Sequence, residues 1–358
     1  MSPENINVSH REKFLNKLTE AEDLASEFNI PRDDILLIAL NLSGIQYRKI
    51  KNDRGRFSLK LPSGRSFKLA TTITDSSYTN FIHNGKNVFL GDEIIGLATE
   101  VEKDNCTDSY WRNRMHLTLN SNSRSICKGC LFCGTYNLEK QDVPLTHEEN
   151  LQKRSLEFLK EVDNFSGVDA IGMVTGCFGS EKQVVDHIKL IRRVFSRIGF
   201  KGEIQYVGSQ IRSEKAIRQL VEDGPFALYL TLEVFTEREK LMKKQKSSLE
   251  LDEARKILET AKDLGAQSSF LYIAGIDPFP VIERELPRFA EVVTRFPQLQ
   301  TYQLYTPDQI IYRNTEAKSL EYYLKIRKLA EEVWPNLRPI TFHNYRGLWF
   351  TEYRGETI

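Results

Sequence analysis

The chain has 358 residues, 50 of them basic and 49 acidic, for a formal net charge of +1. That length accommodates one large domain and a smaller one, and the balanced charge gives no electrostatic case for nucleic acid or a charged membrane surface as partner. No apolar run approaches the roughly 20 residues needed to span a bilayer, and the start, MSPENINVSHREKF, lacks the apolar core of a signal peptide, so a cytoplasmic protein with reduced thiols is expected.

In chain order, residues 10–28 and 31–42 carry helical apolar spacing divided by Pro31. From Gly44 to about residue 102 the texture changes. "RFSLKLPSGRSFKLATTIT" predicts two strands about a Pro-Ser-Gly turn, and "NVFLGDEIIGLATEVE" predicts a further strand-rich piece. Residues 1–111 therefore form a small N-terminal α+β unit that announces no chemistry.

After residue 112 strands and amphipathic helices alternate. MHLTL (115–119) leads into a helix over 147–161. Strand 168–175 precedes helix 181–198, strand 203–208 precedes helix 213–223, and strand 227–234 precedes helix 250–264. Strand 268–275 with helix 282–295 and strand 299–305 with helix 316–333 complete the series. Alternation of this kind predicts a parallel sheet with its crossovers outside. Its even spacing, without a glycine-rich dinucleotide fingerprint, points to an α/β fold of the partial or closed (β/α)6 TIM-like barrel kind over residues 112–335. The tail, 336–358, is expected to pack on the barrel, closing its end or adding a strand; within it His343, Tyr345, Arg346 and Trp349 form a dense polar-aromatic stretch.

"SICKGCLFCGTYN" (125–137) holds Cys127, Cys130 and Cys133, spaced C-x2-C-x2-C, immediately past the first strand of that series. Ligand sites in such folds lie at the carboxyl ends of the strands, so three thiols are placed at the mouth. Bacterial ferredoxins wrap three corners of a [4Fe–4S] cube with this spacing and add a further cysteine four residues on. Asn137 stands there instead. Either an outside residue completes the set, or one iron is left open.

A cluster loop after the first strand of such a barrel resembles the radical S-adenosylmethionine (SAM) enzymes, and within them the branch of biotin synthase. The family's usual loop is C-x3-C-x-Φ-C, with Φ aromatic. Cys130, Phe132 at Φ and Cys133 fit its second half; Cys127 is one residue closer than usual, and Ile126 stands at the usual first position. One residue spans at most about 3.5 Å.

The resemblance implies a [4Fe–4S] cluster on Cys127, Cys130 and Cys133, with SAM as cofactor at the open iron. "TGCFGSE", with Gly176 and Gly179, is comparable to the family's turn that receives the amino group of SAM. In "LEVFTEREKLMKKQKSS", Glu233 is similar to the glutamate that contacts the SAM ribose or amine. Arg238, Lys243 or Lys244 would hold the SAM carboxylate. "IAGIDPFP" resembles the edge that packs on adenine, through Ile273, Gly275 and Ile276. A small-molecule substrate and an electron donor such as flavodoxin or ferredoxin are implied as partners, and the N-terminal unit would act as a lid.

Other readings stand beside these. Zinc on the three thiols, with His147, Cys106 or Cys177 as fourth ligand, would make a scaffold protein without radical chemistry. Cys177 is a catalytic candidate as hydrogen-atom donor, a ligand for a further centre, or a buried small hydrophobe. If Cys177 displaces the family's acidic residue, backbone carbonyls or Glu181 would meet the amine. Asp277, Gln303 and Tyr305 are candidates for the substrate chamber, Gln303 and Tyr305 sharing one face if the last strand runs through them. Substrate and reaction type (rearrangement, epimerisation, cleavage or sulfur insertion) are not marked by any motif.

Overall fold

The computed structural model describes residues 14–49, 53–74, 79–104, 109–122, 129–133, 144–340 and 346–358. Two helices come first, α1 (Leu18–Phe28) and α2 (Arg32–Ser43). Pro31 stands just before α2, where its missing N–H costs nothing, and α2 is buried along most of its length.

Seven strands follow: β1 (Ile45–Tyr47), β2 (Asp53–Lys60), β3 (Ser66–Thr74), β4 (Phe81–His83), β5 (Asn87–Leu90), β6 (Glu93–Ala98) and β7 (Glu102–Lys103). The Pro-Ser-Gly turn joins β2 to β3 in a hairpin whose register runs from Asp53 opposite Ile73 to Lys60 opposite Ser66. The sheet runs β3-β1-β4-β5-β6-β2, and β2 pairs again with β3, so those six strands close a ring with β7 appended to β2. Closure removes exposed edges. The sequence pattern indicated β2, β3 and the strand-rich piece from Asn87 but not β1 or β4, and the closure rests on the parallel pairings of β1 with β3 and β4.

The second sheet contains β8 (Tyr110–Asn113), β9 (His116–Leu119), β10 (Ala170–Val174), β11 (Glu203–Gly208), β12 (Phe226–Glu233), β13 (Gln267–Ala274) and β14 (Gln298–Thr301). Its spatial order is the chain order, β9 to β14 are mutually parallel, and β8 is an antiparallel edge strand on β9. Right-handed crossovers in one unbroken direction put every helix on the same face, and such a sheet curls. Among the described residues β8 and β14 do not pair, so the sheet is open rather than a closed ring.

The crossovers contain α3 (Glu148–Leu159), α4 (Glu181–Ser196), α5 (Glu214–Asp223), α6 (Leu251–Asp263) and α7 (Phe279–Glu285), and α8 (Leu320–Val333) follows β14. Ser180 and Ser213 cap α4 and α5 by accepting the N–H of Gln183 and Ala216, satisfying donors that a helix start leaves open. On α4 the buried Val184, Val185, Ile188, Ile191 and Phe195 recur at helical spacing. β12 is buried at every position, as a strand covered on both faces must be. Its outer side chains join the main core; Val207, Ala227 and Tyr229 form a separate cluster with Val174 and Leu271.

Two predicted elements are shorter than their sequence ranges. Pro287 ends the regular helix, so α7 stops at Glu285 and a 3-10 turn covers Leu286–Phe289. β14 stops at Thr301 because the chain then turns toward the N-terminal ring, where the Leu304 carbonyl accepts from Thr72 Oγ1 at 2.6 Å.

Candidate functional site

β9 delivers the chain to the carboxyl ends of the strands. Ser121, just past it, has its Oγ 2.7 Å from His187 Nε2 on α4, and the Leu145 N–H bonds its carbonyl at 2.9 Å. Asn122 pairs with Thr175 past β10. Burial pushes the His187 imidazole down from 6.5 to about 4. With a folded value below the unfolded one, its contribution is full above pH 6.5 and is lost as pH falls toward 4. We expect the urea-measured stability to fall by up to about 1.4 kcal/mol per pH unit in that window from this group, and the slope to shrink in His187→Gln.

The cysteine turn re-enters the described residues at Gly129, whose φ of +102° suits glycine. A Cβ there would also meet Lys243 Cβ at 3.0 Å. Cys133 N–H bonds the Cys130 carbonyl at 3.1 Å, and Leu131 N–H bonds the Leu241 carbonyl at 2.9 Å. Gln309 Nε2 donates to the Leu131 carbonyl at 2.8 Å. Phe132 and Cys130 are buried among Val234, Leu241, Met242, Ile276 and Tyr302, with Cys133 and Ile273 at the edge of the same cluster. The turn thus sits over the carboxyl ends of β12, β13 and β14. Cys127, like Cys106, lies outside the described residues, and among those described no three His, Cys, Asp or Glu side chains group as a metal site. A buried thiol and a half-buried one in an anchored turn with an apolar surround nonetheless suit thiolate ligands, which need exclusion of water as much as donors.

Beside the turn, β12 ends on a bulge between Thr231 and Glu233. Glu233 is left at φ +64°, the left-handed region that costs a non-glycine residue roughly 1–2 kcal/mol. Leu232 turns into the main core, and Glu233, buried, pairs with Lys246. Strain of this kind persists only where the surroundings hold it.

Arg238, expected to hold a carboxylate, is committed elsewhere. Its guanidinium donates to the Leu232 carbonyl at 2.6 Å, to that of Leu249 at 2.9 Å and to that of Val234. It satisfies acceptors that the bulge and the following turns expose, and burial lowers its pKa. A cation paired with Glu233 is Lys246, which the sequence reading did not name beside Arg238, Lys243 and Lys244.

Past β10, Gly176 is buried, Cys177 half-buried and Gly179 exposed. The Gly179 N–H is taken by Gln183 Oε1 at 2.9 Å. Gln210 clamps the intervening Phe178 through both its N–H (2.7 Å) and its carbonyl (2.8 Å). Cys177 lies within electrostatic reach of the buried Tyr206 hydroxyl, whose pKa is raised chiefly by burial. Glu181 is spent on α5, accepting from Ser213 N and Oγ at 2.8 Å, so it caps that helix rather than facing a ligand.

Past β13, Gly275 has φ +126°, and any Cβ would stand 2.8 Å from Tyr302 Cβ. It serves that close approach, while Ile273 and Ile276 flank Phe132. Asp277 does not line a chamber. It is fully buried and accepts from Phe235 N and Thr236 N, each at 2.8 Å, and from the Tyr272 hydroxyl at 3.0 Å, tying the β13 loop to the β12 loop. Gln303 is equally committed, donating to the Asn41 and Ala70 carbonyls and accepting from Arg54 at 2.8 Å. Tyr305 lies against Arg54 and Arg346. In the tail, the Arg346 carbonyl accepts the Thr301 N–H at 2.8 Å, covering the open edge of β14. Trp349 is buried against Glu331; His343 and Tyr345 lie outside the described residues.

No family model matches the chain, and no curated protein does. Among solved structures it is similar to HydG, a maturase of the [FeFe]-hydrogenase, at 13% identity over 62% of this chain and 49% of that one, with TM-score 0.45. Coproporphyrinogen III oxidase (HemN) from Escherichia coli, described as a radical SAM enzyme, is 17% identical over 62% and 54%, with TM-score 0.43. Methylornithine synthase (PylB) is 14% identical over 66% and 69%, with TM-score 0.46. The chain spans about half the length of the first two. No helix among the described residues is long and apolar enough to cross a membrane.

Proposed function

We propose that the protein is a radical SAM enzyme acting on a small molecule, built on a (β/α)6 partial barrel. The observation that carries this reading is the anchored Cys130–Cys133 turn over the ends of β12, β13 and β14, next to a strained, buried Glu233. Cys127, Cys130 and Cys133 would hold a [4Fe–4S] cluster. With SAM at its open iron, such a cluster supplies a 5′-deoxyadenosyl radical that removes hydrogen from unactivated carbon.

The chain's own residues orient and exclude. Phe132, Ile273 and Ile276 provide an apolar wall that keeps water from the cluster and offers a face to adenine. Glu233 accepts hydrogen bonds from the ribose or amine. Lys246, the cation paired with Glu233, would meet the carboxylate of SAM in the place first given to Arg238. Gly176 would let the backbone come close to the amine, and Cys177 would return a hydrogen atom to the substrate radical, its thiyl then being restored by an electron from the donor and a proton from solvent. Electrons would come from a flavodoxin or ferredoxin. The biotin-synthase branch and the cytoplasmic address belong to this reading as well.

The test is anaerobic. Protein reconstituted with iron and sulfide is mixed with SAM and dithionite, and 5′-deoxyadenosine is sought by chromatography. We expect a brown protein with about four irons per chain and product that requires reductant. A colourless protein that takes up zinc in place of iron would replace this reading with the scaffold one.

A further inference from the structure

The two faces of the parallel sheet are covered differently. Toward the helices, Ile171 and Met173 of β10 and Phe270 and Tyr272 of β13 are each 0% exposed. Side chains alternate along a strand, so Gly172, Val174, Leu271 and Ile273 turn to the concave face. All four are partly exposed, although β10 and β13 each have a strand on either side. Water therefore reaches the concave face in the middle of the sheet, where a closed core would pack side chains without gaps. Charge on that face is confined to its ends. Glu203, at the start of β11, accepts from Arg295 at 3.0 Å, and Glu233, at the end of β12, pairs with Lys246. Between those pairs no concave position of β10 to β14 has a charged side chain.

Gln205 lies in that uncharged stretch, opposite Gly172 of β10, and is 4% exposed. Its Nε2 donates to Glu203 Oε1 at 2.9 Å. An ionised carboxylate can only accept, so this bond fixes which way the amide points. The Gln205 Oε1 is left as an acceptor, and it has no hydrogen-bond partner among the described residues. A buried acceptor in that condition costs free energy until something donates to it. Gly172 keeps the approach open. Its backbone is not left-handed, and a Cβ there would meet nothing nearer than the Leu117 carbonyl at 3.8 Å, with Gln205 Oε1 at 4.0 Å. Neither a turn nor a close contact calls for glycine, which weakens a strand interior and often marks the approach of a ligand. Beside them Val174, Val207 and Leu271 form one apolar cluster.

We propose that Gln205 receives an N–H or O–H group of this protein's substrate, and that the part of the substrate seated on the concave face beside Gly172 is uncharged. A charged group there would be buried without a counter-ion, since the ion pairs at both ends are already made. An apolar body is instead covered by Val174, Val207 and Leu271. That the ligand is a substrate rests on the function proposed above; that this face takes an uncharged donor does not.

The experiment titrates the full-length chain, by ligand-observed NMR, with hexanol, with methyl pentyl ether and with hexanoate. The first two are isomers of which only hexanol has an O–H, and hexanoate is the charged probe. Gln205→Leu, Gly172→Leu and Lys182→Gln, an exposed lysine on α4, are titrated alongside. Hexanol should bind saturably and about tenfold more tightly than the ether, which leaves the buried acceptor unsatisfied. Hexanoate should bind at least about tenfold more weakly than hexanol, for want of a counter-ion. Gln205→Leu should abolish the preference for hexanol over the ether. Gly172→Leu, which fills the space, should weaken hexanol about tenfold or more, and Lys182→Gln should change nothing. Equal affinity for hexanol and ether in the parent, a preference that survives Gln205→Leu, tighter binding of hexanoate, or no saturation with hexanol overturns the proposal. Should Gln205→Leu fail to fold, unchanged hexanol affinity in Gly172→Leu decides against it. No arm needs iron, sulfide or SAM, so failure here leaves the radical reading standing, and failure of SAM cleavage leaves this site standing.

Discussion

Arg327→Ala is expected to cost about 3–5 kcal/mol of unfolding free energy, the range for stripping one partner from a buried ion pair. Arg327 on α8 is 1% exposed and pairs with Asp34 of α2, which is wholly buried. It also bonds Glu331 Oε1 at 3.0 Å and the carbonyls of Leu348 and Glu352 at 2.7 and 2.8 Å. Asp34 in turn accepts the Thr351 N–H at 2.7 Å. One guanidinium therefore joins the N-terminal helices, the last helix of the sheet domain and the C-terminal tail. Removing it leaves Asp34 charged, buried and short of its main counter-ion. Since whole domains are stable by only about 5–15 kcal/mol, urea unfolding should show a much earlier midpoint. Asp34→Asn with Arg327→Ala should cost less than the sum of the two single changes, because the first removes the charge that the second strands. Additive costs would show that the pair is not coupled.

The fold was legible where one local rule decided it. Strand 203–208 agrees to the residue with β11, and 227–234 and 268–275 are each displaced by one, because each is a short run of strand-forming residues between two amphipathic helices. The closure of the N-terminal ring was not legible, since it depends on β1 finding both β3 and β4 in parallel register, a non-local choice with no turn to announce it. At the candidate site, the place of the Cys130–Cys133 turn at the strand ends followed from the alternation alone. Roles of charged residues were harder. Arg238 reads as a carboxylate-binding cation, yet its inward-turned guanidinium takes up carbonyls that the bulge at Glu233 leaves open. Asp277 reads as a chamber residue because it follows a strand and Gln303 because it shares a strand face with Tyr305, but the Phe235 and Thr236 amides and the Asn41 and Ala70 carbonyls they satisfy belong to other elements. Sequence spacing cannot show that a polar side chain is already spoken for.

Cys130→Ala and Cys177→Ala should separate ligand from donor. Cys130 is buried in the Phe132 cluster, and its carbonyl receives the Cys133 N–H, so alanine there removes a sulfur from a turn whose shape is held by other bonds. Iron uptake and 5′-deoxyadenosine formation should drop at least about a hundredfold, beyond what loss of an outer-sphere partner causes, while the urea midpoint moves little. Cys177 is half-buried in a loop fixed through Phe178 by Gln210. Cys177→Ala should therefore keep the colour, the iron and the cleavage of SAM. On the function proposed above its thiol hydrogen exchanges with solvent and its thiyl is reset by the electron donor and a solvent proton, so with substrate supplied the parent protein in D2O should place one deuterium in product, and the variant none. Loss of iron in Cys177→Ala would instead make that sulfur a ligand, and deuterium retained in the variant's product would move hydrogen return to another group at the mouth.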